Sequence, residues 1–328
     1  MPTVYPRSVR KRETPRPWSA GARRYIVSNR STMAHPNEGN PRMLHRLFFI
    51  LGLIPGLVFA EDPLTVFVSV APQETFVSRI GGEHVRVKAL VKAGQDPHAF
   101  EPTARQVATL ADADLYVRVG IGFEDAWMPR LLAANPSMRV LDARDGIAVR
   151  PEDEGHDHGD HDHDQGAIDP HVWTSPARVR IMAARIRDAL ADLAPAYAAD
   201  FAAGYDGFVA DLDALDAAIR VRLDGVENRR FMVYHPAWGY FAEDYGLEQV
   251  AIERAGKEPG ARALTAMIEQ ARRDGIWVIF VQPQLNPASA EQVAQAIGGQ
   301  VAVIDPLSGD YFANLRRVAD LIAGAGAP

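Results

Sequence analysis

The chain has 328 residues, 47% of them hydrophobic, enough for a sizeable core and more than one domain of ordinary size. Its net charge of −7 argues against nucleic acid or an anionic membrane surface as the main partner. There are no cysteines, so disulfides and thiolate metal sites are both excluded, and any metal must be held by imidazole and carboxylate.

Met1 to Arg42 is basic and without apolar periodicity, and it is expected to be an upstream mis-start or a disordered extension. From Met43 the pattern changes. A short basic start through Arg46 precedes the apolar run Leu47 to Phe59, and Val58-Phe59-Ala60 forms a small-residue cleavage site. The run is shorter than the roughly 20 apolar residues of a membrane span. Residues 43–60 are therefore expected to be a signal peptide cleaved after Ala60. With no Cys at that site, the product would be periplasmic and free of a lipid anchor.

Strand-like and helix-like stretches then alternate. Leu64–Val70 is apolar and β-branched, Pro72 opens a helix to about Ile80, and Val85–Val91 is strand-like. A helix over 103–113, a strand over 115–119, a helix over 124–133 and a strand over 139–142 follow. This alternation implies βαβ units around a parallel sheet, whose sites lie beyond the carboxyl ends of the strands. The loop after the second strand, Asp96-Pro97-His98-Ala99-Phe100-Glu101-Pro102, holds His98 extended next to stiffening prolines.

Half of the ten histidines lie between Gly155 and Trp173. His156, His158, His161, His163 and His171 alternate with Asp157, Asp160, Asp162, Asp164 and Asp169, and no helix or strand period runs through them. Residues 152–168 are expected to be a metal-capturing loop. The bland alternative is a solvated charged linker. Ser175 then caps a helix with Pro176 at its first position, which runs to about Leu193. After Pro195, Ala196–Leu223 keeps helical spacing for about 40 Å at 1.5 Å per residue. It reads as a rigid spine, with a coiled-coil arm as the alternative.

A second βα array follows, with strands near 231–234, 247–252, 276–281 and 301–304 and helices over 261–274, 287–297 and 312–322. His235 and Asp305 stand directly after strands. His98, His171, His235 and Asp305 all adjoin prolines at such edges, and three imidazoles with one carboxylate suit four-coordinate Zn²⁺. No single spacing separates that set from four unrelated polar residues.

DPHAFEP at 96–102, the His/Asp-rich stretch with DPHVW at 169–173, VYHPAWGYF at 233–241, GKEP at 256–259, IFVQPQ at 279–284 and IDPL at 304–307 together resemble the metal-binding proteins of bacterial ABC importers for zinc and manganese. The resemblance runs from Leu64 to Ile322 in order. It implies an α/β fold of two Rossmann-like lobes with parallel sheets, 61–194 and 226–328, joined by a rigid helix over 195–225, with metal in the cleft between them. It also implies that His98, His171 and His235 are imidazole ligands and that Asp305 is a carboxylate ligand or stands near one. The residue at 235 is His rather than the Glu of manganese-type members, and a His-rich loop is present. Both features favour Zn²⁺ as cargo.

The expected partners are an ABC permease and a periplasmic metallochaperone, with the chain a monomer that binds no nucleic acid. Mn²⁺ or Fe²⁺ is the alternative cargo, and an adhesin or a periplasmic metal buffer the alternative role. An enzyme is not expected. A zinc hydrolase would need a general base, and the sequence has neither an HExxH helix nor a GxSxG elbow.

Overall fold

A computed structural model describes residues 62–92, 94–152, 168–253 and 259–326. The expected signal peptide, the extension before it, and His156, His158, His161 and His163 lie outside the described residues. Among those described, no helix is long and apolar enough to cross a membrane.

The first βα array contains β1 (Leu64–Val70), α1 (Ala71–Gly81), β2 (Val85–Val91), α2 (Ala104–Thr109), β3 (Leu115–Arg118), α3 (Gly122–Ala134) and β4 (Arg139–Asp142). Two helices follow, α4 (Pro176–Leu193) and α5 (Ala198–Leu223). The second array contains β5 (Arg230–Val233), α6 (Gly239–Asp244), β6 (Glu248–Ala251), α7 (Ala261–Arg273), β7 (Val278–Val281), α8 (Ala288–Ile297), β8 (Gln300–Val303) and α9 (Tyr311–Ala323). Central strands such as β1 and β7 are buried on both faces, which is why they read as unbroken apolar runs. Capping sets several helix starts. The side chains of Thr103 and Ser175 accept the backbone N–H groups of Gln106 and Arg178. The helix expected over 103–113 is shorter, because its last turn tightens into a 3-10 turn at Leu110–Asp112.

Both sheets are four-stranded and wholly parallel, in the orders β2-β1-β3-β4 and β6-β5-β7-β8. The orders are equivalent, so each sheet reverses its winding once, between β1 and β3 and between β5 and β7. Doubly wound sheets open a crevice at the carboxyl ends of such a strand pair. In the first sheet a buried polar cluster fills it. Glu124 accepts from Val119 N at 2.9 Å, Gly120 N at 2.6 Å, Arg118 Nε at 3.1 Å and the Ser69 hydroxyl, which also bonds Tyr116 Oη at 2.7 Å. Burial pushes the Glu124 pKa up, and these donors oppose it.

Both arrays belong to one compact unit, Ala60–Pro328. α5 buries Phe201, Phe208, Leu212, Leu215, Ile219 and Leu223 along one stripe and packs against α4, α1 of the first array and α9 of the second. Polar bonds tie the arrays together elsewhere. Trp173 Nε1 donates to Pro306 O at 2.7 Å, Tyr240 Oη to Asp169 O at 2.9 Å, and Thr75 Oγ1 to Gly309 O at 2.8 Å. Arg178, on α4, pairs with Asp244 and with Glu243 of α6.

The two glycines of α5 have different reasons to be there. A Cβ at Gly204 would lie 2.4 Å from the carbonyl oxygen of Ile80 and 2.9 Å from that of Arg79, so this glycine lets α5 touch the backbone of α1. Gly207 faces open space. Gly207→Ala should therefore stabilise the protein by about 1 kcal/mol through helix propensity. Gly204→Ala should instead destabilise it by about 1–3 kcal/mol, because backbone cannot yield as a side chain does. Thermal unfolding of the two metal-free variants reads the opposite signs.

Candidate metal centre

Three Asp-Pro-X segments make the same turn. The carboxylate Oδ1 accepts the backbone N–H two residues on: Asp96 from His98, Asp169 from His171 and Asp305 from Leu307, each at 2.9 Å. This is the Asx turn, and the proline between fixes φ and removes a competing donor. The first turn follows β2, the second precedes α4 and the third follows β8. The first two present imidazoles, and the third presents the buried side chain of Leu307.

His235 comes from elsewhere, two residues beyond the end of β5 at the switch point of the second sheet. His98, His171 and His235 converge, so that one ring nitrogen from each lies within 4.8 Å of the others. Their ring centroids are 4.8 to 5.6 Å apart. His171 and His235 are buried, while His98 is an exposed residue at the rim.

Each buried ring has a carboxylate behind it. His171 Nδ1 is 2.8 Å from Asp169 Oδ1, and His235 Nδ1 is 3.2 Å from Glu253 Oε2. A carboxylate only accepts, so each Nδ1 carries a proton, and in its neutral form each ring turns an Nε2 lone pair toward the other. Those two Nε2 atoms are 3.4 Å apart. Two lone pairs at that distance repel unless a cation lies between them. For Zn–N bonds of 2.0–2.1 Å at a tetrahedral angle, the expected nitrogen separation is about 3.3 Å. The spacing matches the edge of a zinc tetrahedron.

Burial alone would raise the Asp169 pKa, but hydrogen bonds and charge at His171, with Arg150 Nη1 at 3.3 Å from Oδ2, hold it below the usual carboxylate range. Gly239 clears the path for that arginine, since a Cβ there would lie 1.4 Å from Nη1. Burial, then the His171 and His235 rings, push the His98 pKa down from 6.5 to about 3, against an opposing pull from Asp169. Water on the exposed side of His98 softens this effect and leaves its sign.

The space among these groups is small. A cavity of about 20 Å³ is bordered by the three histidines with Gln282, Gln284 and Leu307 among others. That is room for about one water-sized species. The arrangement suits a single cation of the borderline class.

Asp305, expected as the carboxylate ligand, stands outside the converging group. Its Oδ1 is engaged by Leu307 N and by Gln284 Nε2 at 2.8 Å, so its proline motif marks a turn of the same kind as Asp96 and Asp169. Sequence reasoning missed Glu253 as the partner of His235, because 18 residues separate them. Asp169 was legible as the residue two before His171, but its second role, on the ring nitrogen, was not. Gln282 borders the cavity directly after β7, and the QPQ motif was its only trace.

The family described as ZnuA, zinc-uptake complex component A, periplasmic, matches residues 66–325. The zinc-binding lipoprotein AdcA of Streptococcus pneumoniae serotype 4 is 32% identical over 256 residues, which cover 76% of this chain and 51% of that protein. The chain thus spans about half the length of the curated relatives it matches. A crystal structure of ZnuA superposes with a TM-score of 0.76 at 37% identity, covering 81% of this chain and 100% of the other. A zinc-bound ZnuA deletion mutant gives the same TM-score and identity, over 81% and 99% of the two chains.

Removing the carboxylate behind one ring should loosen metal without removing a ligand. Asp169→Ala is expected to weaken Zn²⁺ binding by about 10- to 100-fold, read by competition against a chelator. A second outcome concerns pH. Between pH 6.5 and about 3 the unfolded chain binds a proton at His98 that the folded, metal-free chain refuses. His98 therefore subtracts stability progressively as pH falls through that window, and adds no pH dependence above it. In the metal-free protein, His98→Ala should lose less thermal stability than the wild type between pH 7 and pH 4.

Proposed function

The chain belongs to the ZnuA family of zinc-uptake components, and on that premise we propose that it is a periplasmic binding protein, not an enzyme, which captures Zn²⁺ and delivers it to the permease of an ABC importer. His98, His171 and His235 are its ligands. The observation that carries the reading is the pair of carboxylate-backed imidazoles whose Nε2 atoms stand 3.4 Å apart at the mouth of a single-ion cavity. The zinc-binding AdcA lipoprotein and ZnuA, to which the chain is similar, agree with that chemistry.

Capture begins at the surface. On either side of the His-rich segment 153–167, which carries His156, His158, His161 and His163, Pro151 and Ile168 form a bridge next to the Asp169 turn. That segment is the weak capture site of this reading. Transfer inward replaces water and carboxylate by three neutral imidazoles, so acid weakens binding by competing for their lone pairs. The bonds between the arrays and the shared packing on α5 favour local exchange at the rim over wide hinge closure. His98, exposed and on a loop, is the ligand placed to move when the permease opens the site. The protein acts as a monomer. Manganese or ferrous iron would want oxygen donors, and the converging set is all nitrogen.

Competitive calorimetry of the full chain with Zn²⁺ and Mn²⁺, with and without residues 153–167, tests the reading. One tight zinc site is expected that survives loop deletion, is lost in His171→Ala and outcompetes manganese. Tight binding that disappears with the loop, or a preference for manganese, would overturn the assignment of site or cargo.

A further inference from the structure

Gln282 is the first residue after β7, beside His235 at the switch point of the second sheet. It is buried, and it borders the cavity shared by the three imidazoles. Its Nε2 donates to the backbone carbonyl of His235 at 3.1 Å, which settles which end of the amide is nitrogen. The other end, Oε1, is buried and has no hydrogen-bond partner among the described residues. A buried acceptor left unsatisfied costs about 1–3 kcal/mol, and a native fold keeps one mainly where something else arrives to satisfy it.

Three imidazoles leave a tetrahedral ion one position short. Asp305 lies outside the converging group, and its Oδ1 is held by Leu307 N and Gln284 Nε2. What fills that position must fit a cavity of about one water and, beside Gln282, must carry a hydrogen to donate. Resting on the proposed zinc reading, we infer that Gln282 is a positioning residue whose Oε1 accepts a hydrogen bond from a water molecule completing the zinc coordination. A halide or a carboxylate in that position has no hydrogen for the amide oxygen. Gln282 thereby favours a neutral, exchangeable fourth ligand, which suits cargo that must be released. The Nε2 bond to His235 O holds acceptor and ligand in one frame, so the water and the third imidazole are placed together.

The two ends of the amide can be separated by substitution. Gln282→Leu removes donor and acceptor, whereas Gln282→Glu keeps an oxygen acceptor and loses the N–H donor to His235. Zn²⁺ affinity is measured by chelator competition on the full chain, beside the visible spectrum of the Co²⁺ form, which reports coordination number. Metal-free melting curves check folding. The expected result is a loss of about 10- to 100-fold for Gln282→Leu with an altered Co²⁺ spectrum, and affinity retained or tightened in Gln282→Glu. Equal losses in both variants would mean that only the donor to His235 matters, and an unchanged Gln282→Leu would mean that the oxygen faces nothing. Either overturns the inference. His171→Ala is the control on the premise: if it keeps tight zinc, the cleft reading fails first, and Gln282 with it.

Discussion

Two carboxylates decide where the lone pairs of this site point. Asp169 and Glu253 each hold the Nδ1 proton of a buried imidazole, so the Nε2 atoms of His171 and His235 are the lone-pair ends of the neutral rings, and they face one another at 3.4 Å. In a cavity of about 20 Å³, that opposition is unfavourable until a cation enters. The binding energy of the metal is in part the relief of a conflict built into the metal-free fold. Everything around the site serves to keep those two rings from turning away. The Asx turn holds Asp169 to the His171 backbone, Tyr240 grips the Asp169 carbonyl, and Trp173 bolts the turn to Pro306 across the cleft.

The two sheets show how one topology is put to two uses. Both wind in the same order and both open a crevice at the equivalent strand pair. In the first sheet the crevice is sealed by Glu124, which accepts from Ser69, Arg118 and the backbone of the following loop. In the second it is left with His235 and Gln282 facing a void. A satisfied polar cluster makes the first array a firm wall, against which the ligands of the second can be set. The first array contributes its own imidazole from a loop, His98, which is exposed at the rim.

Much of the architecture was legible because the signals are local. β1, β2 and β4 coincide with their expected limits, since apolar β-branched runs and glycine stops depend on neighbours in the chain. The capped start of α4 and the spine α5 were equally plain. Gly204 in α5 looked like a mild weakness of the helix, and it is instead the point where α5 meets the backbone of α1. That reason lies in another element and could not be read locally.

The site divides in the same way. By itself the sequence determined that any metal would be held by imidazole and carboxylate, because there is no cysteine. It also singled out His98, His171 and His235 by their prolines and strand ends. An Asp-Pro pair predicts a turn in each case, because the turn closes over two residues. It does not say what the turn presents. Only the tertiary structure decided that Asp305 Oδ1 bonds Leu307 and Gln284, that Glu253 stands behind His235, and that the oxygen of Gln282, whose side chain borders the cavity, has no partner among the described residues. Those outcomes depend on the distances between strand ends and loops far apart in the chain. Such distances are set by packing across the whole molecule.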